Sequence, residues 1–271
     1  MLSSDSDQKL DSVDLDPQRF TRTWYRAGLA GILLFGLADH FGYHTNFNGM
    51  SAVQAMFNMG AEDSLGGAFG ILLTMVAAVL AWIGVIISTT SPRRRAGWLG
   101  VAVLLTAMAV DDAGHVHERI GTIFRTWVES DGAPLWFPSY AWQVVVAPIY
   151  GLLTVVAARF LWIQLEPRPI RWAPVGAFFC WVVAVGIDFI EGLDAHAAGH
   201  PYSALLRAVD LREFSLRHFD YQPFDMLMHY GRLLEESLET LAVVLFGAAV
   251  IWLLTEALAQ TEFRPVAAPK P

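Results

Sequence analysis

Asp111, Asp112, His115, His117 and Glu118 occur together in MAVDDAGHVHERIG, and Glu235, Glu236 and Glu239 in LLEESLETLA. Asp188 and Glu191 are three apart in GIDFIEG, while Asp39, His40 and His44 share GLADHFGYH. Carboxylates and imidazoles are the oxygen and nitrogen donors that hold iron, manganese, zinc or copper, and they also relay protons. Cys180 is the only cysteine and lies in AFFCWVVAV, so no disulfide framework, thiolate zinc site or iron–sulfur ligand set exists. Any metal must be held by nitrogen and oxygen.

These acids and histidines lie in apolar sequence. Hydrophobic residues make up 55% of the 271-residue chain and charged ones 16%, which implies a bilayer as solvent. A spanning helix needs roughly 20 apolar residues. Six segments qualify, near 26–44, 66–90, 97–125, 140–163, 173–193 and 235–257. The expected fold is an all-α polytopic transmembrane bundle of about six helices, forming one domain over 19–260. Outer loops are expected at 45–65, 126–139 and 194–234, the last with a short helix near SALLRAVDLREF. Residues 1–18, Ser/Asp-rich and without a basic n-region, read as a disordered tail, and 261–271 as a Pro-rich one.

Arg19, Arg22 and Arg26 precede the first segment, Arg93, Arg94 and Arg95 link the second and third, and Arg168 and Arg171 link the fourth and fifth. The positive-inside rule then puts both termini in the cytoplasm of a bacterial inner membrane. A net charge of -8 argues against nucleic acid as a partner and leaves membrane lipid and a lipophilic small molecule. The second and fourth segments read as apolar scaffold, with Gly66 and Gly70 permitting close contact.

An ionisable group in a membrane is costly and normally faces the bundle interior with a partner. At about 1.5 Å per residue, Asp39, Asp111 and Asp188 all fall roughly 20 Å from the cytoplasmic side, in one layer. At about 100° per residue, Asp111, His115 and Glu118 share an arc of about 60°, which makes them one face of the third helix. Asp39, His40, His44, Asp111, His115, Glu118, Asp188, Glu191, Glu236 and Glu239 are therefore the expected metal ligands. Asp112, His117, His229, Arg232 and Glu235 are expected just behind them, His117 pointing away from His115. Crowded carboxylates in a low dielectric must be protonated, paired or metal-bound, and Arg232 alone cannot neutralise all of them.

A lone intramembrane Asp or His is more often a hydrogen-bonded structural group, and His40 and His44 could sit at the interface beside Asn46 and Asn48. His196, His200 and His218 read as solvated loop residues. Carboxylates with histidine on facing helices are the donor pattern of di-iron and di-manganese bundles, although the Glu-x-x-His pair of that class is absent.

The stretches MAVDDAGHVHERIG and LLEESLETLA resemble segments of uncharacterised bacterial multi-pass membrane proteins with an Asp-Asp or Asp-Glu…His-Glu helix and a later Glu-Glu-x-x-Glu helix. That resemblance implies the membrane fold and no particular activity. Asp111-x-x-x-His115 is also similar to the opening of the copper-site helix in membrane methane and ammonia monooxygenases, without that family's further histidine. A microbial rhodopsin is excluded, because Lys9 and Lys270 are the only lysines and both lie in the tails. A haem held by His115 with His40 or His44 would be surrounded by acids.

The expectation is a membrane-embedded metal-dependent enzyme. Iron, manganese or copper would serve an oxidoreductase acting on a lipophilic substrate, and zinc a hydrolase. A proton or divalent-cation transporter or channel, and a structural subunit of a membrane complex, are the competing readings.

Overall fold

The computed structural model describes residues 15–44, 51–61, 63–88, 91–130, 135–195, 199–219 and 221–262. The expected tails therefore fall largely outside the described residues, as do His196 and the side chain of His44. Among the described residues eleven α-helices follow one another: α1 (Pro17–His44), α2 (Ser51–Phe57), α3 (Leu65–Ile87), α4 (Pro92–Gly114), α5 (Val116–Glu129), α6 (Trp142–Val145), α7 (Ala147–Gln164), α8 (Trp172–Glu191), α9 (Pro201–Ala208), α10 (Arg212–Phe219) and α11 (Pro223–Glu262). A single 3-10 turn, Pro169–Arg171, leads into α8, and no strand occurs among the described residues. The protein is an all-α, polytopic integral membrane bundle.

Five stretches are long and apolar enough to cross a bilayer: Leu65–Ile87, Pro92–Gly114, Ala147–Gln164, Pro169–Glu191 and Pro223–Ala259. The first expected span is more polar than these, because arginines and the Asp39–His40 pair dilute it. It forms α1, which packs along α11 and turns Leu29, Leu33, Leu34, Leu37 and Phe41 outward.

Sequence cues account for the helix starts. Ser64 and Ser91 accept from the backbone N–H of Gly67 and Arg94 and so cap α3 and α4, and Pro92 occupies the first turn of α4, where its missing N–H costs nothing. α3 and α4 pack closely, since Gly84 lets the Trp98 indole lie on the α3 backbone; a Cβ at Gly84 would come within 2.4 Å of that ring. Gly70 brings α3 to Thr240 of α11, whereas Gly66 receives Met59 of the α2–α3 segment. α11 is the central post, packed against α8, α1 and α3.

Four expected boundaries are corrected. The third segment is not one helix: it breaks at His115, the one described non-glycine residue with positive φ (50°). α11 begins at Pro223, so its first turns replace part of the expected loop 194–234, which otherwise holds α9 and α10. α2 and the end of α5 likewise occupy parts of the expected loops 45–65 and 126–139.

The two halves of the bundle are filled differently. Toward the arginine-rich end, Trp98, Leu104, Leu105, Leu161, Phe246 and Val250 form a dense apolar core. Toward the other end lies a cavity of about 910 Å³.

Candidate functional site: an acid-lined cavity

Three long elements deliver the acids to this cavity. Asp111 and Asp112 come from the end of α4, with His115, His117 and Glu118 from the break and the start of α5. Asp188 and Glu191 come from α8, and Arg232, Glu235, Glu236 and Glu239 from α11. Eleven of the fifteen residues singled out in the sequence thus line one space. The cavity penetrates the bundle as far as Thr74, Thr154 and Val243, with Trp181 and Val182 on one wall.

The helical-face argument fails at His115. With a left-handed residue there, Asp111, His115 and Glu118 do not form one stripe of a continuous helix. Asp111 instead turns to His117: its Oδ1 accepts the His117 backbone N–H at 2.6 Å and lies 3.1 Å from His117 Nδ1. One carboxylate thereby satisfies an orphan amide in the first turn of α5 and pairs with the following imidazole. His117, expected behind the site and opposite His115, is the direct partner of Asp111. His tolerates the left-handed region better than most side chains, and such strain commonly persists at functional sites.

Burial alone would lower the pKa of His117, but the hydrogen bond and charge of Asp111, helped by Glu118 and Asp112, outweigh it and raise the value. A raised folded-state value means that this pair contributes fully below the unfolded pKa, near 6.5, and less as pH rises through the folded value. Wild type should therefore melt above His117→Gln most clearly below about pH 6.5. The two melting curves should converge in alkali, and a gap constant with pH would show that the ion pair is not its source.

The α8 acids have distinct partners. Gln143 Nε2 donates to Asp188 Oδ2 at 2.8 Å. Arg232 Nε donates to Glu191 Oε2 at 3.0 Å, and the Glu191 side chain is only 2% exposed whereas that of Arg232 is 50% exposed. Glu191 Oε1 is buried and has no hydrogen-bond partner. Tyr202 of α9 closes over this pair at Gly231, and burial together with Glu191 and Glu235 pushes its hydroxyl up to about 12, so it stays protonated.

Asp39, His40 and His229 are not part of the cavity, although they were expected at the same depth. Asp39 Oδ2 lies 3.3 Å from His229 Nε2, and His40 Nδ1 lies 2.7 Å from the Tyr230 hydroxyl. This cluster ties α1 to α11, roughly 10 Å along α11 from Glu235 and Glu236. Matching depth did not fix which way α1 faced.

Sequence reasoning also missed members of the cavity. Asn58, Gly60 and Asp63 reach it from the segment between α2 and α3. Tyr150 and Thr154 line it from α7, which was read as uniform scaffold. Their spacing with Gln143, seven then four residues, places all three on one helical stripe, a polar signal inside an otherwise apolar run. Among the described residues, no three His, Cys, Asp or Glu side chains converge closely enough to hold a metal ion. Holding one ion among three of these groups would require their side chains to move closer together.

A family model described as a domain of unknown function, DUF8692, matches residues 27–254. That match takes in every acid of the cavity. No curated protein and no solved structure matches the chain.

Proposed function

We propose that this chain, which belongs to the DUF8692 family, is an integral-membrane metal-dependent enzyme whose acid-lined cavity is the active site. The observation that carries this reading is the convergence of Asp112, Asp188, Glu235, Glu236 and Glu239 on one space whose cationic lining is Arg232 and two histidines. Arg232 is already committed to Glu191. Carboxylates crowded in a low dielectric repel one another, and a divalent cation relieves that repulsion.

Glu236, Glu239, Asp188 and Asp112 would hold the ion, with His115 or His117 as the nitrogen donor. An excess of carboxylate over imidazole favours iron or manganese over copper and zinc, and hence an oxidoreductase over a hydrolase. Bound metal would supply Lewis-acid or redox chemistry. Gln143 Nε2, donating to Asp188 Oδ2, would restrict the orientation of that carboxylate. The dense core below the cavity supports an enclosed site over a transmembrane ion path, since the described residues around Phe246 and Val250 beyond Thr74 and Thr240 pack as an apolar cluster. The arginine clusters in the 17–26, 91–95 and 168–171 regions support the orientation with both termini in the cytoplasm of a bacterial inner membrane.

Metal analysis with melting tests the proposal. Protein purified after metal-replete growth should carry about one or two equivalents of iron or manganese and melt higher with that ion than with chelator. At free metal of about 100 times Kd the gain is about 2.7 kcal/mol. Glu236→Gln with Glu239→Gln should abolish it. No retained metal, and one melting temperature for all ions and chelator, would reject the metal reading. Ion flux through proteoliposomes that vanishes in Asp188→Asn would replace it with a transporter.

A further inference from the structure

A metal ion alone occupies a small fraction of 910 Å³, a volume at the upper end for pockets that hold organic ligands of roughly 300–1,000 Å³. The shape of the lining indicates which ligand. One end carries the acids. The other descends along α8 to Trp181 and Val182, the latter about 13 Å from Glu191 along the helix and so at hydrocarbon depth. Val182 lines the cavity and is 53% exposed. Gly151 of α7 also lines the cavity, and a Cβ placed there meets nothing within 4 Å. α8 packs mainly on α11 and much less on α7, which leaves this seam thin. Two buried polar atoms on the cavity lining lack partners, Glu191 Oε1 at the acid end and the Trp181 Nε1–H on the α8 wall.

We infer that the cavity takes a single-chain amphiphile from the bilayer through the seam between α7 and α8, with its polar head among the acids and its chain leaving past Val182 and Gly151. The surplus of carboxylates requires an uncharged or cationic head, an alcohol or an amine, and disfavours a free fatty acid. The bilayer itself supplies such molecules at the depth where the seam lies. This inference names the substrate class for the proposed active site and rests on that reading for its catalytic meaning, but its binding test does not depend on metal.

The test is photolabelling of the purified full chain in lipid nanodiscs with a long-chain amine and a long-chain alcohol, each bearing a mid-chain diazirine, and with the matching fatty acid. Adducts should map to the cavity-facing Phe178 and Trp181, several-fold more with amine or alcohol than with fatty acid. Gly151→Phe fills the seam from a position with open space and should remove these adducts several-fold. Gly186→Phe, also in open space but outside the cavity lining, should leave them unchanged. Adducts confined to the outward-facing Phe179 and Leu152, or cavity adducts indifferent to Gly151→Phe, would overturn the inference. Equal labelling by all three heads would overturn the charge argument. Retained metal in Gly151→Phe without a labelling effect sinks the seam alone, whereas seam-dependent labelling of a protein that holds no metal sinks the metal reading alone.

Discussion

Arg232→Ala should lower the melting temperature of the metal-free protein sharply, and adding Glu191→Gln should restore most of the loss. Arg232 donates to Glu191 Oε2 at 3.0 Å, and the carboxylate it holds is almost fully enclosed. Removing one partner of a buried pair typically costs about 3–5 kcal/mol, because the remaining charge has neither water nor a counter-ion. Half of the Arg232 side chain is exposed, so solvent screens part of the interaction and about 2 kcal/mol is the appropriate expectation. The glutamine in the double variant keeps the shape of Glu191 and removes the charge. A double-mutant cycle separates this coupling from the loss of Arg232 packing against Gly60. If the double variant melts no higher than Arg232→Ala, the ion pair is not what stabilises this corner.

Trp98→Ala should be the most damaging single substitution in the opposite half. The indole is fully buried, lies against Gly84 on α3 and meets Phe160 of α7 edge-on at 5.9 Å between centroids. Truncating a buried Trp costs about 3–5 kcal/mol in water-soluble cores through lost contacts and the void left behind. The contact and void terms persist in a bilayer, where helices associate through packing and not through exclusion of water. Gly151→Phe, a comparable change of volume in the half that holds the cavity, should alter the melting temperature far less. Comparable losses from the two would contradict the unequal filling of the bundle.

The spans now assigned to α3, α7, α8 and the membrane part of α11 were legible in the sequence because an apolar run of about 20 residues has few alternatives in a bilayer. The acids that α4, α8 and α11 bring to the cavity were legible for a related reason: an ionisable residue in such a run must face inward, and each of these helices offered one face. The break at His115 was not legible, since the polar pattern from Asp111 to Glu118 fits a continuous helix. Its stabilising contact, Asp111 reaching over the break to the His117 amide, exists only once the break has formed. Asp39 and His40 were misplaced because rise along the axis gives depth but not azimuth. The first turns of α11 were taken as loop because His229 and Arg232 interrupt the apolar run, although Pro223 at the start and Met226, Leu227 and Met228 after it suit a helix.

The unequal filling of the two halves also bears on where amide protons exchange. Local opening requires less free energy where few side chains interlock and most where a residue is enclosed on all sides. Amides of α11 around Phe246 to Leu254, set in the dense half, should therefore exchange only through global unfolding. Those around Glu235 to Glu239, and on α8 from Val182 to Asp188, border empty volume and should exchange through smaller and more frequent openings. A single long helix would then carry a steep gradient of protection along its length. The slow end would then hold the remaining helices in register while the other end opens.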